Sequence, residues 1–408
     1  MKNRVLKQFN LKRNVIEVLI VVMLVLCIGL FMKNKMNTLN NTSINKESIA
    51  EELDENLIGA YIQQGEEYVK ADTIPTSGYE FNADESYCKI GDVVQENITL
   101  SYDMETQTLT VSPIAKEGTK CYLYFDEQVS ASDIILASPN APTGQTTDWT
   151  GGITYYYTGN PNNWVQFGGF WWRIIRINGD GSIRMIYQGT SANETGTGTH
   201  IGTSAFNSSY SSNKTYVGLV YDESTQHGSG QPSTMMSTLN NWYNSNLASF
   251  EENYIDTGTG FCSDRNMASG SNFNSGDILY YAPYDRRNGP ASLQCNSEDI
   301  LSKDNGKLTN SIGLVTSDEA VLTGITSSTA NTVSYLYTGQ TYWTMSPNGF
   351  SSGNSRAFVF YVASDGYLDF TYYVTYSYGV RPVINLRSDV SLTGSGTISD
   401  PFKVVGAS

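Results

Sequence analysis

The sequence predicts an α+β protein in three parts: an N-terminal transmembrane helix, a small disulfide-stapled β-module and a larger C-terminal α+β domain. Three observations carry this reading. Residues 15–32 form a nearly unbroken apolar run, the four cysteines beyond it fall into two local pairs, and segments of period-two alternation mix with one stretch of helical spacing.

The run Val15–Met32 is interrupted only by Glu17, and about 20 such residues cross a bilayer core as a helix. Lys2, Arg4, Lys7, Lys12 and Arg13 precede it, so the N-terminus is expected in the cytoplasm and the remainder outside. No small-residue cleavage site follows, which makes the run an uncleaved signal anchor of the cell membrane. Beyond residue 32 the chain keeps 20 bases against 39 acids, a net charge of −19. Sequence-independent nucleic-acid binding needs clustered Lys and Arg, so nucleic acid is excluded as a partner. Membrane and an extracellular glycan or protein remain the expected partners.

Cys88, Cys121, Cys262 and Cys295 lie outside the anchor, and an even number in an oxidising compartment points to disulfides. Four cysteines allow three connectivities. The pairing Cys88–Cys121 and Cys262–Cys295 is preferred because each closes one local loop. Zinc is the rival, weakened by the lack of any C-x-x-C motif or nearby histidine.

Along the chain, residues 1–14 form a basic tail, 15–32 the anchor, and 33–75 a linker with a stalk helix. The stalk helix rests on Ile49, Leu53, Leu57, Ile58, Tyr61 and Ile62, one apolar stripe at helical spacing over 48–70. Residues 76–127 form the β-module, with a hairpin over Asn97–Tyr102 and Thr108–Ser112 and a third strand, Lys120–Phe125. Residues 128–163, rich in Ser, Thr, Pro and Gly, read as a linker, and 164–408 as the main domain. That domain opens with a hairpin, Phe170–Asn178 and Ser182–Tyr187, around the turn Asn178-Gly-Asp-Gly181. Leu239, Trp242 and Tyr243 predict a helix, and Ser317–Val321 a short one after the strand Ser311–Thr316.

Five blocks, Trp172-Arg-Ile-Ile, Ser237-Thr-Leu-Asn-Asn-Trp-Tyr-Asn, Ile312-Gly-Leu-Val-Thr-Ser-Asp-Glu, Tyr342-Trp-Thr-Met-Ser-Pro347 and Gly379-Val-Arg-Pro382, occur in this order. Together they resemble a bacterial surface-protein domain family of unknown function over about residues 164–390. That family in turn resembles the C-type-lectin-like fold of sulfatase-modifying factors and phage tropism proteins. The resemblance implies a C-type-lectin-like α+β domain at a bacterial cell surface. Within it Trp172, Arg173, Trp242, Trp343 and Arg381 take structural positions, and Arg381 is expected to meet a buried acid such as Glu319. Thr344 and Met345 stand where the family has Leu-Arg, so no role of that arginine transfers. Separately, Asn14–Val22 with Glu17 resembles the start of a type IV pilin helix, without the glycine and phenylalanine that flank pilin processing.

The expectation for chemistry is a non-enzymatic protein. Only His200 and His227 occur, both in polar loops where they read as solvated; no nucleophile elbow and no phosphate loop is present. No cofactor is expected, and calcium is the one candidate ion, with oxygen ligands offered by Asp299–Asp304 and Asp365–Asp369. The segment Tyr367–Tyr378 is the candidate binding surface, with Tyr367, Tyr372, Tyr373 and Tyr376 as contact residues, because tyrosine offers rigid area with a polar tip. The same spacing fits a strand pair whose rings pack across neighbours. The functional expectation is thus an adhesion or binding protein contacting glycan or protein through Tyr-rich loops, with a pilin-like or envelope structural subunit as the alternative.

Overall fold

The structure, a computed structural model, describes residues 58–407 apart from Ser77, Glu105, Ile114, 193–194, 210–211 and 276–277. It divides into two compact units meeting in sequence between Glu127 and Gln128. The expected α+β class is corrected: the chain is mostly β, with 36% strand and 14% helix. The expected membrane-anchored localisation is corrected with it, since no helix among the described residues is long and apolar enough to cross a membrane. The run 15–32 lies outside the described residues.

The first unit is a sheet of order β2-β1-β7-β3-β4, formed by β1 (Ile58–Gln64), β2 (Glu67–Ala71), β3 (Tyr79–Ile90), β4 (Val93–Val94) and β7 (Thr119–Glu127). A hairpin of β5 (Thr99–Asp103) and β6 (Thr108–Ser112) supplies Leu100, Tyr102, Leu109 and Val111 to the core on one face. In place of the stalk helix expected over 48–70, the described part forms β1 and β2. β1 lies between β2 and β7, and Gly59, Ala60 and Tyr61 are all buried. A strand covered on both faces shows no alternation, so its apolar residues mimic helical spacing.

On the opposite face Tyr61, Tyr122 and Tyr124 are buried, with Tyr68 and Tyr87 beside them. Tyr61 stacks on Tyr124 at 4.9 Å, and Tyr87 on Tyr122 at 5.0 Å. Cys88 and Cys121 sit opposite each other on β3 and β7 and form a disulfide; Cys262 and Cys295 form the second.

The second unit begins inside the expected linker. A helix, Ala131–Ala137, is capped by Ser130, whose Oγ accepts from the Asp133 amide. Strands β8 (Gly144–Thr147) and β9 (Ile153–Tyr156) follow and join the sheet through β11. That sheet holds eight strands among the described residues. Its spine is the strand Val383–Leu386, then β12 (Ile183–Gly189), β11 (Phe170–Ile177), β10 (Trp164–Phe167), Phe402–Val404 and Leu392–Thr393. The hairpin expected around Asn178 is β11 and β12, closed by the Asn178 amide on the Ser182 carbonyl at 2.8 Å.

A second sheet runs Thr203–Ala205, Ser377–Gly379, Tyr342–Ser351, Arg356–Val362 and Leu368–Asp369, with Leu279–Tyr280 on the long strand. The helix Thr234–Asn246 buries Met235, Met236, Leu239 and Tyr243, and Ser233 caps it.

Between these elements lies a fully buried charge cluster. Arg176 on β11 and Arg184 on β12 are register partners. Glu319 reaches both: its Oε1 lies 3.0 Å from Arg176 Nε and 2.5 Å from Arg184 Nε. Glu319 is also the third residue of a helix, Ser317–Leu322, whose capping box it completes with Thr316. Asp148 adds the second negative charge, 2.9 Å from Arg176 Nη1, so the four charges cancel. Burial alone would raise the Glu319 pKa; the Arg184 and Arg176 guanidiniums outweigh it and hold the carboxyl below its ordinary range. Burial lowers Arg184 to about 10, still far above neutrality, so the pair is ionised at pH 7.

Two predictions follow from this architecture. Replacing Cys88 and Cys121 by alanine opens a loop of 33 residues and should lower the stability of the first unit by about 4 kcal/mol, read from its urea transition in the full chain. Glu319→Gln strands two buried guanidiniums against one carboxylate and should cost the second unit about 3–5 kcal/mol. Because the Glu319 carboxyl is lowered, its contribution is complete above the ordinary carboxylate pKa of about 4.3 and lost as pH falls further. The variant should therefore show a flatter stability profile than wild type below that pH in a urea series.

Candidate binding site

The tyrosine segment is built on the second sheet. The strand Arg356–Val362 ends in a turn at Gly366 (φ +89°), where a Cβ would press the backbone of Asn331, and the chain returns as Leu368–Asp369. After Asp369 the chain leaves the sheet as a loop. Asp369 fixes its start by accepting from the Phe370 amide at 2.6 Å and the Thr371 amide at 3.1 Å. Val374 pins its middle: the side chain is fully buried, its amide donates to the Ala357 carbonyl, and its carbonyl accepts from the Asn207 amide. One apolar plug thus turns the neighbouring rings outward.

Those rings form a continuous cluster. Trp343 lies at the base, buried, with its indole N–H on the Ser204 carbonyl at 3.0 Å. Tyr361 packs edge-on to Trp343 at 5.9 Å, and its hydroxyl bonds the Thr371 hydroxyl at 2.9 Å. Tyr372 stacks on Tyr361 at 5.3 Å and touches Tyr376 at 5.1 Å and Tyr378 at 5.4 Å. Tyr376 and Tyr378 are nearly parallel at 6.2 Å. Burial holds the Tyr361 and Tyr378 hydroxyls well above the usual phenol range, so both stay protonated donors. Tyr372 and Tyr376 end exposed, at 42% and 43%.

The structure therefore brings together three of the four expected contact residues. Tyr373 joins the cluster through Tyr376 at 5.8 Å but turns toward Phe358, with the Arg356 guanidinium over its ring at 4.7 Å. Tyr367 sits apart in the 363–367 turn and shares none of these ring contacts among the described residues. Sequence reasoning missed Tyr361 and Tyr378 as members. Their signal, a tyrosine on each of two strands of one sheet, acquires meaning only once the strands are placed together.

The other expected positions are structural in their contacts. Trp172 is buried and donates to the Phe167 carbonyl at 3.0 Å; Trp242 packs on Phe170 and Tyr187. Arg173 is held by Asn163 and the Pro161 carbonyl, over the Trp164 ring at 4.2 Å. Arg381 does not meet Glu319. Its guanidinium bonds the Tyr187 and Leu336 carbonyls and Gln188 Oε1, over the Tyr342 ring at 4.8 Å. Glu319 is engaged instead by Arg176 and Arg184.

Neither histidine is simply solvated. His227 Nδ1 lies 3.0 Å from Asp299, a fully buried carboxylate also bound by Arg265. Asp299 is thereby spent on an internal ion pair, which removes it from the calcium loop expected over Asp299–Asp304. In the other expected loop, Asp369 is occupied by the backbone amides that follow it. No group of three metal-ligating side chains occurs among the described residues. His200 packs on Gly379, where a Cβ would fall 2.2 Å from its ring, and beside Tyr342.

One further recess, about 290 Å³, is lined by Trp149, Cys262, Asp264, Arg286, Asp318 and Glu319 among others. Arg286 fills its floor, bonding Asp318 at 2.7 Å and Asp264 at 2.7 Å. Its interior has room for about one water molecule, so it is an internal ionic clamp rather than a ligand pocket. No family model, no curated protein and no solved structure matches this chain.

Burial, and then the nearby Arg381 charge, lower His200 to about 4. The imidazole should therefore remain neutral through pH 5 in an NMR titration, where an ordinary loop histidine would be charged below about 6.5.

Proposed function

We propose that this protein is a non-enzymatic binding protein whose contact surface is the tyrosine cluster around Tyr372 and Tyr376. The observation that carries the reading is the exposure of these two rings on a rigid aromatic base. An apolar ring at the surface is unremarkable singly, but here two exposed rings are stacked on Tyr361, Tyr378 and Trp343 and held by the buried Val374. Preorganised tyrosines lose little conformational entropy on contact, which is why such rings dominate recognition surfaces. The five sequence blocks resembling a bacterial surface-domain family support the same reading, because three of them, at Trp172, Tyr342 and Gly379, supply the frame under this cluster.

The buried ionic groups argue against a catalytic reading. Glu319, Asp148, Asp299 and Asp318 each have arginine partners within the fold, so their charge is spent on structure.

The test uses the full chain on an array carrying both polysaccharides and extracellular proteins. Tyr372→Ala combined with Tyr376→Ala should abolish retention while leaving the thermal transition within about 2 °C, since surface substitutions change stability by about 0.5 kcal/mol or less. Undiminished retention by the double variant would overturn the proposal, as would no retention of the wild type.

A further inference from the structure

Resting on that reading, we infer that the ligand of the tyrosine cluster is a neutral carbohydrate, held with one face of a sugar ring against Tyr372 and Tyr376. Three features of the site lead there. The first is shape. The ring centroids stand 5.1–6.2 Å apart, so the tyrosines touch one another. A cage for a quaternary ammonium needs several ring faces around a cation, each within about 6 Å of it, and rings in mutual contact leave no such socket. The ligand must lie on the outer surface, and must offer a flat face of C–H groups to it.

The second feature is area. An aromatic side chain offers about 150–250 Å². With 42% and 43% exposed, Tyr372 and Tyr376 together leave roughly 125–210 Å² for contact. A standard protein interface buries about 800 Å² on each partner. The exposed rings are several-fold short of that, and the chain around them is polar: Ser364, Asp365, Thr371 and Ser377 are exposed. Rings of this extent match one or two sugar units instead.

The third feature is the polar margin. Asp369 accepts three hydrogen bonds from the loop itself, from the Phe370 and Thr371 amides and the Thr371 hydroxyl, and is only half-buried. A carboxylate offers about four lone-pair sites, which leaves acceptor capacity for a sugar hydroxyl. Asp365 and Asp369 place negative charge beside the rings in a chain of net charge −15, which disfavours uronate, sulfate or sialate groups.

The experiment is saturation-transfer NMR on the full chain with maltotriose, cellotriose and N-acetylchitotriose as neutral probes and sialyllactose as the anionic one. At least one neutral trisaccharide should receive saturation on the ring C–H groups of one face. Tyr372→Ala with Tyr376→Ala should weaken that sugar by at least about tenfold, the equivalent of about 1.4 kcal/mol, whereas Tyr372→Phe with Tyr376→Phe should hold it within about threefold, because stacking needs the ring and not the hydroxyl. Sialyllactose should bind more weakly than the best neutral probe.

Failure of all neutral probes, or equal binding by the alanine variant, overturns the inference. If the alanine variant loses retention on arrayed proteins while wild type takes no sugar, the cluster binds protein: the carbohydrate assignment falls and the proposed function stands. Loss of neither signal removes both.

Discussion

The second unit is organised around one carboxylate. Glu319 caps the first turn of its own helix and neutralises two arginines that face each other across β11 and β12. Bringing two guanidiniums into an interior without counter-charge is prohibitive, so the sheet and the helix form together or neither is stable. Asp148 extends the same constraint to the turn before β9. It takes Arg176, the Gly179 amide and the hydroxyls of Thr150 and Thr154, using nearly every lone pair it has. The carboxylates are therefore specific as well as neutralising. Each one fixes the register of elements far apart in the chain.

That internal scaffold explains why the binding surface is rigid. The second sheet carries Trp343 and Tyr361 as a fixed base, and Val374 ties the outer loop to the same core. The loop itself has little secondary structure, yet its rings are stacked in a defined order. Arg381 sits fully buried between the two sheets' strands, on carbonyls and a glutamine rather than on a carboxylate. Its charge is dispersed over neutral dipoles and the Tyr342 ring, a second way of accommodating an interior arginine.

The first unit solves stability differently. Its apolar interior is small, with Leu100, Leu123 and Phe125 among its few buried residues, so the Cys88–Cys121 bridge and the five-tyrosine face share the stabilisation. The tyrosines reinforce one another across β1, β2, β3 and β7 in stacked and edge-on pairs.

Local chemistry is what the sequence by itself determined. The hairpin about Asn178 was legible because alternation and turn residues lie within twenty positions. The helix at Leu239 and the hairpin at Thr99–Ser112 were legible for the same reason, and both cysteine pairings followed from closing local loops. The tertiary structure decided the rest. β1 carries no alternation because it is covered on both faces, so its pattern was read as helix. Glu319 was assigned to Arg381, yet it meets Arg176 and Arg184, more than a hundred residues away in sequence. Which tyrosines are exposed, and which lie beneath them, depends on sheet order and on one buried valine. Charge pairing and ring stacking act over a few ångströms in space, and only the folded chain sets which residues come within that reach.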